Sequence, residues 1–380
     1  MTVPHHKTDT LSLSNSHFLP IHLDNPEPHV HQLPVELLQQ IFLLVVSDSD
    51  LSDWPSIFKM INACTSRIFC SPPIFLTRVC HLWRVVAHST TELWSCIQVT
   101  LPGEAKRSKP FPPCLLQCWL ARSVSQPLTI RINRIRLPYR LYKYAKRKVI
   151  RGYCPLSQAD FRLLEILQSE SRRWETVVGA SCGGEWPRSK LDTPQLKTLE
   201  CSWSVLGKFN APNLRQLRIS EGMAGVLIPI YKNLRHLHLQ WASPSTIRSV
   251  SVTSPNLETI VVEGLIGDCC RATRQSVTYS CLESLTLLLP WNWHWFTEIF
   301  YDLHIPVLRK LTLVGCPTKS GVDGIMDALA VTATCNLQVI DFQPTTLEDE
   351  VDVDVVEPLL SVVREILVRG VLLRCRAPHN

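Results

Sequence analysis

One stretch of the sequence has the spacing of a hydrolase nucleophile. Residues 179–183 read GASCG, the Gly-x-Ser-x-Gly pattern in which a serine is held exposed on a strained turn between a strand and a helix. The preceding residues, WETVV, suit a strand. The residues that follow, GEWPRSKLDTP, contain no helix start. We therefore interpret Ser181 as part of a turn and predict no catalytic residue.

The 15 cysteines raise the question of metal binding. Cys64, Cys70 and the pair Cys80-His81 come nearest to a ligand set. The chain has no Cys-x-x-Cys pair, however, and Cys269 is followed directly by Cys270, so the ligand spacing of tetrahedral zinc sites is missing. We predict free thiols, no metal and no cofactor.

The most basic stretch, residues 131–153, interleaves Arg and Lys with tyrosines. Single-strand nucleic-acid surfaces combine these residue types. The same composition is typical of a solvated basic face, which is the interpretation we prefer. Nucleic acid therefore stays an alternative partner, and steep salt dependence of binding would distinguish it.

The overall composition is that of a globular protein. The 380 residues are 45% hydrophobic and 19% charged, and the net charge is +6. No apolar run reaches the roughly 18 residues that a membrane span needs, and the start lacks the pattern of a signal peptide. We expect an intracellular protein of the cytoplasm, the nucleus or both, with reduced cysteines.

Two segments contain the predicted helices and strands that would position a functional site. In 31–100, LPVELLQQIF predicts a helix beginning near Pro34, residues from Phe75 to Val86 predict a second helix, and STTELW predicts a short third one. A segment at 47–73 looks inserted. Because so small a module cannot bury all its large apolar side chains, we predict an exposed partner surface. It includes Leu33, Pro34, Ile41 and Phe42.

From residue 174 onward the sequence repeats. A pattern with apolar first, fourth and sixth residues begins at positions 196, 214, 234, 257, 282, 308 and 337, with a degenerate copy at Trp174. Such repeats predict short strands that stack into a parallel sheet with a continuous core. The predicted stacked residues are Leu217, Leu237, Ile260, Leu285 and Leu311.

The residue between the last two apolar positions of each copy should point out of the open face of the sheet. These residues are Glu200, Arg218, His238, Val261, Thr286, Thr312 and Asp341. Extended partner surfaces of solenoids commonly lie on such a face, so we predict that Arg218 and His238 bind a target. The stretch PWNWHWF at 290–296, if extended, would place three tryptophans on one side at the rim of that site: Trp291, Trp293 and Trp295. Packing of an outer helix is an equally good interpretation of these tryptophans.

The helical segment resembles the F-box, the three-helix module of substrate adaptors in cullin-based ubiquitin ligases. The matching residues lie in LPVELLQQIF and RVCHLWRVVAHSTTELW. With the irregular leucine-rich-repeat-like part, the chain resembles F-box proteins that are numerous in mushroom-forming fungi. The resemblance implies that a Skp-type adaptor, and through it a cullin complex, binds these residues: Leu33, Pro34, Glu36, Leu37, Ile41, Phe42, Val79 and Trp83.

These observations predict an α/β protein with four parts. They are a flexible tail (1–30), an F-box-like module (31–100), a linking region (101–173) and a leucine-rich-repeat-like solenoid (174–380). The resemblance implies a non-enzymatic substrate-recognition adaptor, whose repeats bind an unknown protein target. A repeat scaffold with a degenerate F-box and no ligase role is the other alternative.

Overall fold

The computed structural model describes residues 32–47, 72–101, 112–134, 155–180, 186, 190–221, 228–267, 276–289, 293–332, 334–346 and 351–376. Within them the chain is α/β, as predicted. The tail (1–30) and most of the segment 47–73 lie outside the described residues. The helices are α1 (Val35–Ser47), α2 (Pro72–Leu76), α3 (His81–Ser89), α4 (Pro113–Arg122), α5 (Gln158–Ser169), α6 (Trp203–Leu206), α7 (Pro244–Thr253), α8 (Trp293–Phe300), α9 (Lys319–Ala330) and α10 (Val353–Val356).

The strands form one large sheet and two small ones. They are β1 (Cys96–Leu101), β2 (Leu128–Arg134), β3 (Trp174–Ala180), β4 (Leu191–Asp192), β5 (Thr198–Ser202), β6 (Phe209–Asn210), β7 (Gln216–Glu221), β8 (His236–Leu239), β9 (Thr259–Val262), β10 (Val277–Thr278), β11 (Ser284–Leu288), β12 (Leu303–Ile305), β13 (Lys310–Val314), β14 (Thr334–Cys335), β15 (Val339–Gln343), β16 (Glu365–Val368) and β17 (Val371–Cys375). The large sheet has 12 strands in the order β1-β2-β3-β5-β7-β8-β9-β11-β13-β15-β16-β17. Each neighbouring pair is parallel except the last, β16 with β17.

The repeat residues stack as predicted. Leu217, Leu237, Ile260, Leu285 and Leu311 are paired from strand to strand, and each is at most 2% exposed. The inward positions of one strand therefore cover those of the next, and no single strand encloses the core by itself. The sheet also extends beyond the repeats, because β1 and β2 precede residue 174 and pair with β3 through β2.

The turns that lead into the repeat strands are tied to one another by asparagine side chains. The amide of Asn213 donates to the carbonyl oxygen of Pro194 at 2.8 Å, that of Asn233 to Pro212 at 2.9 Å, and that of Asn256 to Lys232 at 2.8 Å. Each bond spans two consecutive copies of the repeat. The recurring Asn in the lead-ins APN, YKN and SPN therefore fixes the spacing of the turns.

The connections between the repeat strands contain helices and the strands of the three-stranded sheet β10-β12-β14. Arg248 of α7 is only 6% exposed, and its guanidinium donates to the carbonyl oxygens of Ile299 and Tyr301 at the end of α8. A cation is favourable there because the carbonyls that end a helix carry partial negative charge. This contact joins two consecutive outer helices.

The predicted second helix is interrupted. Instead of one helix through Phe75 and Val86, α2 ends at Leu76 and α3 begins at His81. Cys80 is the N-cap of α3: its backbone is extended, and its sulfur accepts a hydrogen bond from the Trp83 amide at 3.4 Å. An extended N-cap residue cannot continue a preceding helix, which the apolar periodicity alone does not reveal. The predicted third helix is a 3-10 turn, Thr91–Trp94.

Candidate functional site

Helix α1 has apolar side chains on two faces. Leu38 and Phe42 are fully buried. Leu37, Ile41 and Leu44 are 45, 41 and 65% exposed, and their spacing of four and three residues places them on one face. An ordinary surface helix keeps one apolar stripe toward the core and a polar face toward water. The second stripe of α1 is therefore a candidate contact surface.

The residues predicted to bind an adaptor differ in their exposure. Pro34, Glu36, Leu37, Ile41 and Val79 are exposed, and Leu33 and Trp83 are half-buried. The expectation that Phe42 is exposed is wrong, because Phe42 is 0% exposed and its ring centroid lies 4.9 Å from that of Trp83. Periodicity finds both apolar stripes of α1 but does not tell which one faces the core.

The side chains predicted to face out of the repeat sheet form one row. Glu200, Arg218, His238, Val261, Thr286, Thr312 and Asp341 are paired in register across seven strands. Glu263, one residue past the end of β9, adds a carboxylate to this row. One of its oxygens lies 3.1 Å from Nη2 of Arg218 and 2.7 Å from Nε2 of His238. The two residues predicted to bind a target therefore share one acidic partner.

An exposed tryptophan borders this ion-pair cluster. Trp241 follows the end of β8 by two residues and is 45% exposed. Its indole covers Gly264, which follows the end of β9 by the same interval, so that a Cβ at that position would lie 2.3 Å from the ring. Tryptophan and arginine are the residue types most enriched at binding hot spots. The repeat pattern does not point to Trp241, because the residue lies beyond the last apolar repeat position.

At the β15 end of the row, the acidic side chain is covered by its neighbours. The expected exposed charge of Asp341 is absent, because Asp341 is 1% exposed. Its carboxylate lies 2.7 Å from Nζ of Lys310 and accepts hydrogen bonds from the side chain of Gln343 at 3.1 Å and the amide of Gly370 at 3.0 Å. The β16–β17 hairpin supplies Gly370 and was not expected from the repeat pattern. The exposed charges of the row thus lie toward β5–β9.

The tryptophan-rich stretch is helical from Trp293 onward and not extended. Trp293 and Trp295 belong to helix α8, and Trp291 lies outside the described residues. Because successive residues of a helix are rotated by about 100°, positions 293 and 295 do not share a face. The alternation of an extended strand therefore does not apply to Trp293 and Trp295.

The other residue types that could do chemistry have no described site. Ser181, Cys64, Cys70 and most of 131–153 lie outside the described residues. Within the described part of the chain, no group of three or more His, Cys, Asp or Glu side chains could hold a metal ion. The helices that are described include none long and apolar enough to cross a membrane.

Burial lowers the reactivity of several cysteine thiols. It raises the pKa of Cys201 far above its ordinary value and also raises the pKa of Cys96 and Cys335. The thiolate, rather than the thiol, is the nucleophile and metal ligand. Cys201, which is fully buried, is therefore a packing residue, whereas Cys96 is half-buried and Cys335 is exposed.

No protein-family model matches the chain, and no curated protein matches it.

Proposed function

We propose that the protein is the substrate-recognition adaptor of a Skp-cullin-F-box type ubiquitin ligase. The N-terminal helices would be the F-box and would bind a Skp-type adaptor protein. The strands that follow would form a leucine-rich-repeat-like solenoid that binds a protein target. The observation that carries the proposal is the second, exposed apolar stripe of α1, formed by Leu37, Ile41 and Leu44.

Contact of the stripe with a protein partner is energetically more favourable than its exposure to water. Transfer of apolar surface from water into an interface is favourable by about 25 cal/mol per Å². Val79 and Val85, in the turn before α3 and in α3, are also about half exposed, which adds apolar surface on neighbouring elements. Exposed apolar side chains grouped on one helix face, as on α1, are candidates for a partner contact.

The repeat sheet suits the second role, holding a target. Its open face presents Arg218, His238 and Glu263 with Trp241 at the border. The protein itself would carry out no chemical step. Holding a target lysine near a charged ubiquitin-conjugating enzyme raises its effective concentration, which accelerates transfer without a reacting side chain in the adaptor.

Co-purification of a Skp-type adaptor tests the proposal. We expect Ile41→Asp combined with Leu44→Asp to abolish co-purification, because each change places a charge in the apolar interface. Both side chains are exposed in the free chain, so helix content and thermal stability should be preserved. The matched control is Val252→Asp on α7, where Val252 is 81% exposed and adaptor binding should persist. Undiminished binding by the double variant would refute the assignment.

A further inference from the structure

We propose that a groove at the amino-terminal edge of β7, β8 and β9 binds a carboxylate or phosphate group of an extended protein segment, with Arg215 as its main ligand. The groove is lined only by polar or charged residues and cysteine: Asn213, Arg215, Asn233, Arg235, Asn256, Glu258 and Cys281. Its volume is about 360 Å³, enough for an anionic side chain and its neighbours. The inference rests on the proposed function, because it places part of the target on the repeats.

The first observation is a line of like charges. Lys197, Arg215 and Arg235 occupy the same position in three consecutive repeats. The Arg215 amide donates to the Lys197 carbonyl at 2.8 Å, and the Arg235 amide donates to the Arg215 carbonyl at 2.9 Å. Neighbouring strands lie about 4.8 Å apart, and like charges on neighbouring strands are destabilising.

The second observation is that the acidic partners lie only at the two ends of this line. Lys197 pairs with Glu175 at 2.5 Å, and Arg235 pairs with Glu258. Arg215, between them, is exposed, and no described carboxylate forms an ion pair with it. The five side chains therefore carry three positive and two negative charges, and the excess positive charge is centred on Arg215.

The third observation is that hydrogen-bond donors surround this charge. Asn213 and Asn233 each use a side-chain N–H on the preceding turn, and a primary amide has a second N–H. A planar guanidinium with amide donors beside it matches the oxygens of a carboxylate or phosphate. The bound anion would also relieve the repulsion among the three cations.

A protein segment is the occupant that the surroundings favour. The groove leads onto the outward residues of the same strands, where Gln216 and His236 directly follow Arg215 and Arg235. Arg218 and His238 lie two residues further along each strand. An extended chain placed across this face would meet the groove and the Glu263 cluster together, whereas a free ion would use the groove alone.

Inorganic phosphate tests the anion site directly. We expect phosphate to raise the Tm of the full chain by a few degrees more than chloride at equal ionic strength, because a ligand that binds only the folded state stabilises it. Arg215→Gln should reduce this difference to the general stabilisation that phosphate gives folded proteins. The matched control is Arg309→Gln, which changes the exposed arginine at the same repeat position next to Glu283 and should retain the full difference. An equal phosphate effect in Arg215→Gln would overturn the proposal.

Peptide libraries identify the source of the anion. Three randomised libraries with a fixed central Glu, phosphoserine or Gln are passed over the immobilised full chain. We expect the Glu or the phosphoserine library to be retained at least about tenfold more than the Gln library. Arg215→Gln should abolish this difference. The library that is retained shows whether the site binds a carboxylate or a phosphate. Equal retention of the Gln library would contradict the proposal. A single-stranded oligonucleotide that depends on Arg215 while the peptides do not would also contradict it.

The test of the anion site and the test of adaptor binding can fail independently. Arg215 is on the repeats and the stripe of α1 is on the N-terminal helices, so Arg215→Gln should leave adaptor co-purification intact. Loss of anion binding with adaptor binding retained supports both proposals. Anion binding that depends on Arg215 in a chain that recovers no adaptor would support the groove and refute the ligase role.

Discussion

Trp241 covers Gly264 so closely that any side chain at position 264 would occupy space now filled by the indole. The distance from an added Cβ to the ring would be 2.3 Å. The two residues follow adjacent strands, β8 and β9, at the same interval, and the next residue, Ala242, forms a bridge with Leu265. The glycine therefore determines where an exposed tryptophan lies at the border of the Arg218–His238–Glu263 cluster.

The first prediction concerns this contact. We expect Gly264→Ala to lower the free energy of unfolding by about 1–3 kcal/mol, the range for inserting a group into filled space, because the indole must leave its position. Gly207→Ala is the matched control, since a Cβ there meets nothing within 4 Å, and its stability should be unchanged or slightly higher. Urea unfolding measures both. Equal stability of the two variants would show that Trp241 is not held by Gly264.

The second prediction concerns the stacked core. Leu237→Ala and Leu285→Ala should each cost about 2–5 kcal/mol of unfolding free energy, because each leaves a cavity between two neighbouring repeats. Val252→Ala on α7, where the side chain is 81% exposed, should cost far less. Denaturant unfolding compares the three variants, with one common dependence of the unfolding free energy on denaturant concentration. Losses below about 1 kcal/mol in both leucine variants would contradict a shared core.

Side-chain positions were predictable from the sequence where a strict periodicity applies. They were not predictable where no periodicity applies or where two apolar stripes compete for the core. Strict alternation on the repeat strands determines which residues face the core, and so the row containing Arg218 and His238 was predictable. Past the strand ends no periodicity applies, so Glu263 and Trp241 were missed. On α1 two apolar stripes compete for the core, and Phe42 was placed on the wrong side.

The third prediction concerns the asparagine bonds between turns. We expect Asn233→Ala to cost about 1 kcal/mol, the usual net contribution of one such hydrogen bond, because the Pro212 carbonyl loses its donor. Combining it with Asn256→Ala should cost about twice as much, since the second bond ends on a different carbonyl. Thermal unfolding of the single and the combined variants tests whether the two losses of stability add. A single variant as stable as the unaltered chain would show that the turns are spaced by their backbones alone.

The fourth prediction concerns the ion-pair cluster on the open face. Glu263 accepts from Arg218 and His238 on two different strands, yet all three side chains are at least 28% exposed. Exposed ion pairs contribute little to stability, typically up to about 1 kcal/mol. We therefore expect Arg218→Glu combined with His238→Ala to change the Tm by only a few degrees.

The same double variant should fail to recover the target. Reversing the charge of Arg218 places two carboxylates together at Glu263, and a partner that matches the present charges would then be repelled. Proteins that co-purify with the full chain are compared between this variant and Thr312→Ala, a change in the same row on β13. We expect the double variant to lose those proteins while keeping the Skp-type adaptor, and Thr312→Ala to keep both. Unchanged recovery in the double variant would move the target away from this face of the sheet.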